Sequence, residues 1–307
     1  MNFPLSARRA TAHGRVSGMI PLPACVRIES PSEDYPILEI NHSSCRARVA
    51  FNGAHVMEWT PAGQEPVLYL SPTTFLENGK PIRGGIPLCW PWFGPHAEDS
   101  TKPPHGFVRT RQWALIACED DGASIDLRFE LQSDDESLAQ WPHAFEAIVE
   151  IRLGAELHLS LISHNPAAVP FKETAALHTY LCVSDAAEIA ISGLDGAAFT
   201  ERAAGQSTPG VQEGDVRIVG EVDRIYQSTR DVTVTDRTRK IHIHKHGSAS
   251  TVVWNPGPEK AARLGDLPPL DYPKFVCVET ANAFGAEITV AGGATHVLRT
   301  RIVVESC

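Results

Sequence analysis

From about residue 36 onward, short apolar segments alternate with turn-forming residues. The pattern predicts strands over 46–51, 67–70, 124–131, 145–153, 156–163, 188–191, 232–235, 240–244, 251–254, 275–279, 287–290 and 296–304. Several of these alternate strictly. Leu157, Leu159 and Leu161 fall on one face while His158 and Ser160 fall on the other, the period-2 signature of a half-buried strand. Helical spacing is scarce, and only 134–140 and 259–265 read as short helical turns. Many strands with almost no helix predict an all-β fold built as a large antiparallel β-sandwich. No repeat of 20–50 residues is visible, which disfavours a propeller or solenoid. Residues 1–32 are mixed, Pro-containing and aperiodic, and read as a loosely ordered N-terminal arm. Residues 33–307 read as one domain.

The composition fits that picture. At 307 residues, with 43% hydrophobic and 21% charged, the chain can bury a sizeable core. Its formal net charge of −10 and the absence of a basic patch argue against a nucleic-acid partner or a membrane surface. They do not argue against a small anion, because two arginines in one pocket can outweigh the global field. No apolar run is long enough to span a bilayer. The stretch after Arg8 and Arg9 is broken by Gly18, Pro21 and Pro23, which argues against a twin-arginine leader. Seven widely spaced cysteines without a C-x-x-C read as reduced thiols in a cytoplasmic protein.

Against this background a few segments stand out. Residues 77–96 (ENGKPIRGGIPLCWPWFGPH) form a loop by their Gly and Pro content, yet carry Trp90, Trp92 and Phe93. Arg83 precedes two glycines whose amides could approach an anion; the alternative is a surface loop packed on the sandwich with Arg83 solvated. In HGFVR, Gly106 could turn the chain so that His105 and Arg109 reach one pocket, and paired guanidinium groups suit phosphate. His178 opens an apolar segment and could equally be a hydrogen-bonded core histidine. Glu279 ends a strand in which Phe275 and Cys277 share its face, and a carboxylate buried there must be paired or used. His242, His244 and His246 line one strand face. That spacing can ligate zinc, but no third-ligand pattern accompanies it, so a solvated face is the expectation. P-loop, G-x-G-x-x-G and G-x-S-x-G signals are missing.

The stretches IRGGIPLCWPWFGPH, HGFVR, LHTYLCVSD, VDRIY, VVWNPGPEKA and FVCVETA occur in that order across roughly residues 36–305. Together they resemble the D-hexose-6-phosphate mutarotases, a branch of the aldose 1-epimerase family. The resemblance implies a galactose-mutarotase-like sandwich with its cleft on one sheet. It implies His178 and Glu279 as the catalytic pair, Asp223 and His105 as sugar-binding residues, and Arg83 and Arg109 at the phosphate end. It implies a sugar-phosphate substrate, interconversion of its α and β anomers, and neither cofactor nor metal. Three rival readings remain: a non-catalytic sugar-binding sandwich, a neutral-sugar epimerase, and a metal enzyme using the histidine-rich strand. The oligomeric state is not readable, and a monomer is the default expectation.

Overall fold

The computed structural model describes residues 20–32 and 34–307. Two eight-stranded sheets carry the architecture, and every strand pairing in them is antiparallel. The front sheet runs Thr208–Val211, Ala198–Glu201, Val222–Gln227, Ser250–Asn255, Phe275–Asn282, Ala175–Leu177 and Leu88–Cys89, with Tyr180–Cys182 also pairing with Phe275–Asn282. The back sheet runs Ala190–Ser192, Val232–Thr235, Arg239–His246, Thr295–Ser306, Leu157–His164, Glu146–Leu153, Ile125–Gln132 and Ala114–Asp120. A four-stranded sheet from Val26–Glu29 to His55–Pro61 and the small pair Phe171–Glu173 with Ile288–Val290 complete it.

Side-chain alternation explains why the sheets stack. Leu157, Leu159 and Leu161 of the back sheet and Val276 and Val278 of the front sheet belong to one buried apolar cluster. The opposite face of the front sheet carries a second cluster that includes Ile225, Val252, Trp254, Phe275, Cys277 and Ala281. The front sheet is therefore apolar on both faces, which makes its outer side a cleft floor and not a solvated surface.

The N-terminal expectation needs correcting. Val26–Glu29 is a strand paired with Ile37–His42, and Val26 is in the core with Ile20, Leu22 and Cys25 packed against it. Its Val–Arg–Ile–Glu alternation is too short to stand out beside the prolines around it. Residues 1–19, including Arg8, Arg9 and Gly18, lie outside the described residues. Residues 67–70 form only isolated bridges, Leu68 with Leu181 and Leu70 with Gly84. The helical turn expected over 259–265 is the helix Gly257–Ala261, started by prolines at Pro256 and Pro258. The turn over 134–140 is Asp135–Gln140, with Asp134 and Ser137 closing a reciprocal cap. Strands Ile37–His42, His55–Pro61 and Ala114–Asp120 escaped the sequence reading, the second because it is buried almost throughout and shows no alternation.

Candidate active site

Strand Phe275–Asn282 sends alternate residues to opposite faces, so Glu279 lies with Phe275, Cys277 and Ala281 on the cleft floor. Register places Val252 opposite Glu279, Trp254 opposite Cys277, and Asp223 opposite Trp254. On the other flank Ala175–Leu177 and Tyr180–Cys182 both pair with the same strand, and His178 occupies the break between them. Hydrogen bonds from His178 N to the Pro87 carbonyl (3.0 Å) and from Val278 N to the Thr179 carbonyl (3.1 Å) fix that break. His178 Nε2 and Glu279 Oε1 are 3.4 Å apart.

This pair is poorly satisfied. Glu279 is 1% exposed and its Oε2 has no hydrogen-bond partner, nor has His178 Nδ1. A buried polar atom left unpaired costs about 1–3 kcal/mol, which folded proteins retain chiefly where a ligand or reaction will use it. Burial pushes the Glu279 pKa well above the ordinary carboxylate value, helped by the nearby charge of Asp223 and opposed by Arg109. Burial likewise pulls His178 well below the usual histidine value, with His105, Arg109 and Arg83 adding to it. Both groups are driven toward their neutral forms.

Around the pair, aromatic rings and cations set position and charge. Tyr180 stacks on His178 with ring centres 4.9 Å apart and planes 13° off parallel. Arg83 donates from Nη1 to the Tyr180 hydroxyl (3.0 Å) and from Nε to Asp266 Oδ1 (3.1 Å). Arg83 is thus part-neutralised and holds the ring that braces His178. Of its two glycines, Gly85 does not offer its amide as expected: its N–H donates to the Tyr69 carbonyl at 2.7 Å. They serve close approach, since a Cβ on Gly85 would lie 2.2 Å from the Val56 carbonyl oxygen. His55, fully buried and with its pKa pushed down to about 3 by burial, pins this loop by donating from Nε2 to the Gly84 carbonyl at 2.8 Å.

The second motif arrives from the opposite rim. Gly106 has φ +68°, and a Cβ there would sit 1.9 Å from the Trp90 carbonyl oxygen, so only glycine passes. His105, itself at φ +65°, has its ring 6.0 Å from that of His178. Its Nδ1 accepts from the Gly94 N–H (3.3 Å), which leaves the proton on Nε2. Burial, then Arg109 and Arg83, lower its pKa to about 3, making it a neutral donor. Arg109 gives Nη2 to the Pro104 carbonyl (2.8 Å) and has no carboxylate within ion-pair distance among the described residues. Asp223 is half-buried, its carboxylate free of hydrogen bonds among the described residues, and its pKa is raised by burial despite Lys260 and Arg202.

The tertiary structure thus brings His178, Glu279, Arg83, His105, Arg109 and Asp223 within electrostatic reach of one another. The tryptophans of the loop divide their duties. Trp90 is wholly buried against Trp141 and Phe145, and Trp92 is a core residue. Phe93 remains half-exposed and packs on His105 with ring centres 4.8 Å apart. Sequence reading missed Tyr180, Trp254 and Asp266. Tyr180 carried a signal, since it lies two positions from His178, the spacing that puts two side chains on one face of an extended segment. Asp266 carried none. His242 and His244, by contrast, form surface pairs with Glu305 (2.9 Å) and Asp231 (2.7 Å).

A family model described as aldose 1-epimerase matches residues 36–303. A protein of Escherichia coli (strain K12) named "Putative glucose-6-phosphate 1-epimerase" is 37% identical over 254 residues, covering 82% of this chain and 84% of that protein. One of the same name from Cenchrus ciliaris is 30% identical over 279 residues, covering 85% and 82%. Among solved structures, a "putative mutarotase" from Salmonella typhimurium aligns with a TM-score of 0.87 at 33% identity, covering 94% of this chain and 96% of that one. A galactose mutarotase-like protein from Clostridium acetobutylicum aligns at TM-score 0.72 and 11% identity, covering 92% and 98%, a likeness of fold alone.

Proposed function

Because the chain belongs to the aldose 1-epimerase family, we propose that it interconverts the α and β anomers of a hexose 6-phosphate, with glucose 6-phosphate the first substrate to test. The observation that carries this reading is the His178–Glu279 pair: 3.4 Å apart, buried, and each with a polar atom that has no hydrogen-bond partner.

Anomers exchange through the open-chain aldehyde. The C1 hydroxyl must lose a proton while the ring oxygen gains one, and both oxygens are bonded to the same carbon. An acid and a base side by side match that geometry. Glu279 as carboxylate takes the hydroxyl proton; the C1–O5 bond breaks; His178 delivers a proton from Nε2 to O5. Rotation about C1–C2 presents the other face of the aldehyde, and the transfers run in reverse. Ring opening leaves Glu279 protonated and His178 neutral, the forms that burial favours, so the environment stabilises the opened state. The pair must carry one proton in total.

The remaining side chains orient the substrate. His105 donates to a sugar oxygen, Asp223 accepts from a hydroxyl, and Arg109, lacking a carboxylate, takes the phosphate end. Arg83 contributes there with its uncommitted N–H while bracing Tyr180. Seven free cysteines support a reducing, cytoplasmic setting, and no helix among the described residues is long and apolar enough to cross a membrane.

Saturation-transfer NMR on glucose 6-phosphate tests the reading, with glucose and galactose alongside and excess chelator as a control. Accelerated exchange of the phosphate ester, undiminished by chelator, is expected. Binding without acceleration would make the chain a sugar-phosphate receptor instead.

A further inference from the structure

At the mouth of the cleft one guanidinium stands uncommitted. Arg202 follows the strand Ala198–Glu201, and its backbone is held tightly. Its N–H donates to the Asp223 carbonyl (2.7 Å) and to Glu201 Oε1 (3.1 Å). The same Glu201 oxygen accepts from Ala203 N and Asp223 N, each at 3.1 Å, while Arg224 Nε donates to the other oxygen at 2.7 Å. The Arg202 side chain, by contrast, is half-buried with no hydrogen bond and no carboxylate partner among the described residues. It lies over the ring of Phe284, whose centre is 4.0 Å from the guanidinium carbon.

Phe284 is itself unusual. It is 39% exposed and sits at φ +38°, a conformation that a bulky L-residue adopts at a cost. Gln227 Nε2 donates to its carbonyl at 3.2 Å, and its ring meets Phe93 edge-on at 5.9 Å. Phe93 meets His105, and His105 meets His178. A continuous row of rings therefore leads from the proposed catalytic imidazole out to Arg202, which also flanks Asp223.

Three arginines border this cleft, and they differ in what they have left to give. Arg83 has spent donors on Asp266 and Tyr180, and Arg109 one on Pro104. Arg202 has spent none of its side-chain donors. A guanidinium stacked on an aromatic face keeps its edge free for planar, two-point recognition of phosphoryl oxygens.

We propose that Arg202, presented on Phe284 at the cleft mouth, binds the phosphoryl group of the substrate and sets the preference for phosphorylated over neutral hexoses. The inference rests on the sugar-phosphate reading above, so its test is a binding measurement that needs no turnover. The probes are 1,5-anhydroglucitol 6-phosphate, which lacks an anomeric hydroxyl and cannot mutarotate, and 1,5-anhydroglucitol. Isothermal titration with R202Q is expected to weaken the phosphate ester about ten- to a hundredfold, the range for losing charge-assisted hydrogen bonds, while the neutral analogue is unaffected. R202K restores part of the loss. F284L, which removes the stacking face but no charge, weakens the ester less than R202Q does.

Unchanged affinity of R202Q for the ester overturns the proposal, as does an equal loss for both probes, which would mark Arg202 as a support of the cleft. If the wild-type protein binds the ester in this Arg202-dependent way but does not speed anomer exchange, the activity reading fails and the inference stands. If it speeds exchange while R202Q binds normally, the reverse holds.

Discussion

Two buried histidine–glutamate pairs flank the segment 173–178, and the fold treats them in opposite ways. In the first, Glu173 takes hydrogen bonds from Trp90 Nε1 (2.7 Å), Ser163 Oγ (2.8 Å) and His296 Nδ1 (2.8 Å), and His296 Nε2 meets the Gly247 carbonyl at 3.2 Å. Burial alone would lower the His296 pKa, but the bond and charge of Glu173 outweigh it and hold the imidazole above its ordinary value. In the second, His178 and Glu279 are farther apart, each lacks a partner for one polar atom, and both are pushed toward neutrality. The satisfied pair is a brace. It anchors Trp90, and its neighbour Thr174 accepts the Phe93 N–H at 2.8 Å, so the aromatic loop is tied to the strand that delivers His178. The unsatisfied pair is left able to exchange protons with something else. Chemistry of the side chains does not separate the two; completeness of their hydrogen bonding does.

Breaking each pair should therefore give opposite phenotypes. The largest effect is expected from Glu279→Gln, which should cut the rate of anomer exchange by about 10²–10⁴, the range for general acid–base catalysis, and leave the melting temperature unchanged or higher. Retained exchange in the NMR assay would remove Glu279 from the chemistry. Next comes Glu173→Ala, expected to destabilise the fold by about 3–5 kcal/mol in urea titration, because it leaves the Trp90 N–H, the Ser163 hydroxyl and His296 Nδ1 without their shared acceptor. A loss under about 1 kcal/mol would show that the brace bears little of the fold's stability.

A pH titration of stability sharpens the contrast. The His296 pKa is raised on folding, so its contribution is full below the unfolded-state value near 6.5 and is lost as pH rises through the folded-state value. The wild-type protein should lose stability across that window, and His296→Gln should flatten the profile there. The smallest effect is expected from Tyr180→Phe. It keeps the ring stacked on His178 but drops the hydroxyl that Arg83 holds at 3.0 Å, so exchange should slow only a few-fold, about 1 kcal/mol or less. A loss as large as that of Glu279→Gln would assign the Tyr180 hydroxyl to the reaction itself.

Much of the fold was written in local patterning. Alternation, strict in Ile125–Gln132 and over 157–161, needs only neighbours in sequence to be read, and the reciprocal cap at Asp134 likewise. The strand Val26–Glu29 was lost because four residues hold too little pattern, and His55–Pro61 because burial on both sides erases alternation. The residues proposed for the site stood out as motifs, through odd stretches such as IRGG, HGFVR and FVCVETA, whereas Asp266 and Phe284 lie in segments without one.

The sequence by itself determined an all-β sandwich, the face on which Glu279 would lie, and the set of residue types at hand. It could not say that Glu173 would be saturated and Glu279 left wanting, or that Arg83 would be spent and Arg202 free. Those distinctions depend on which donors and acceptors arrive from segments a hundred or more positions away, such as His296 for Glu173 and Asp266 for Arg83. The state of a buried charge is set by its neighbours in space, and only the packed sheets decide who they are.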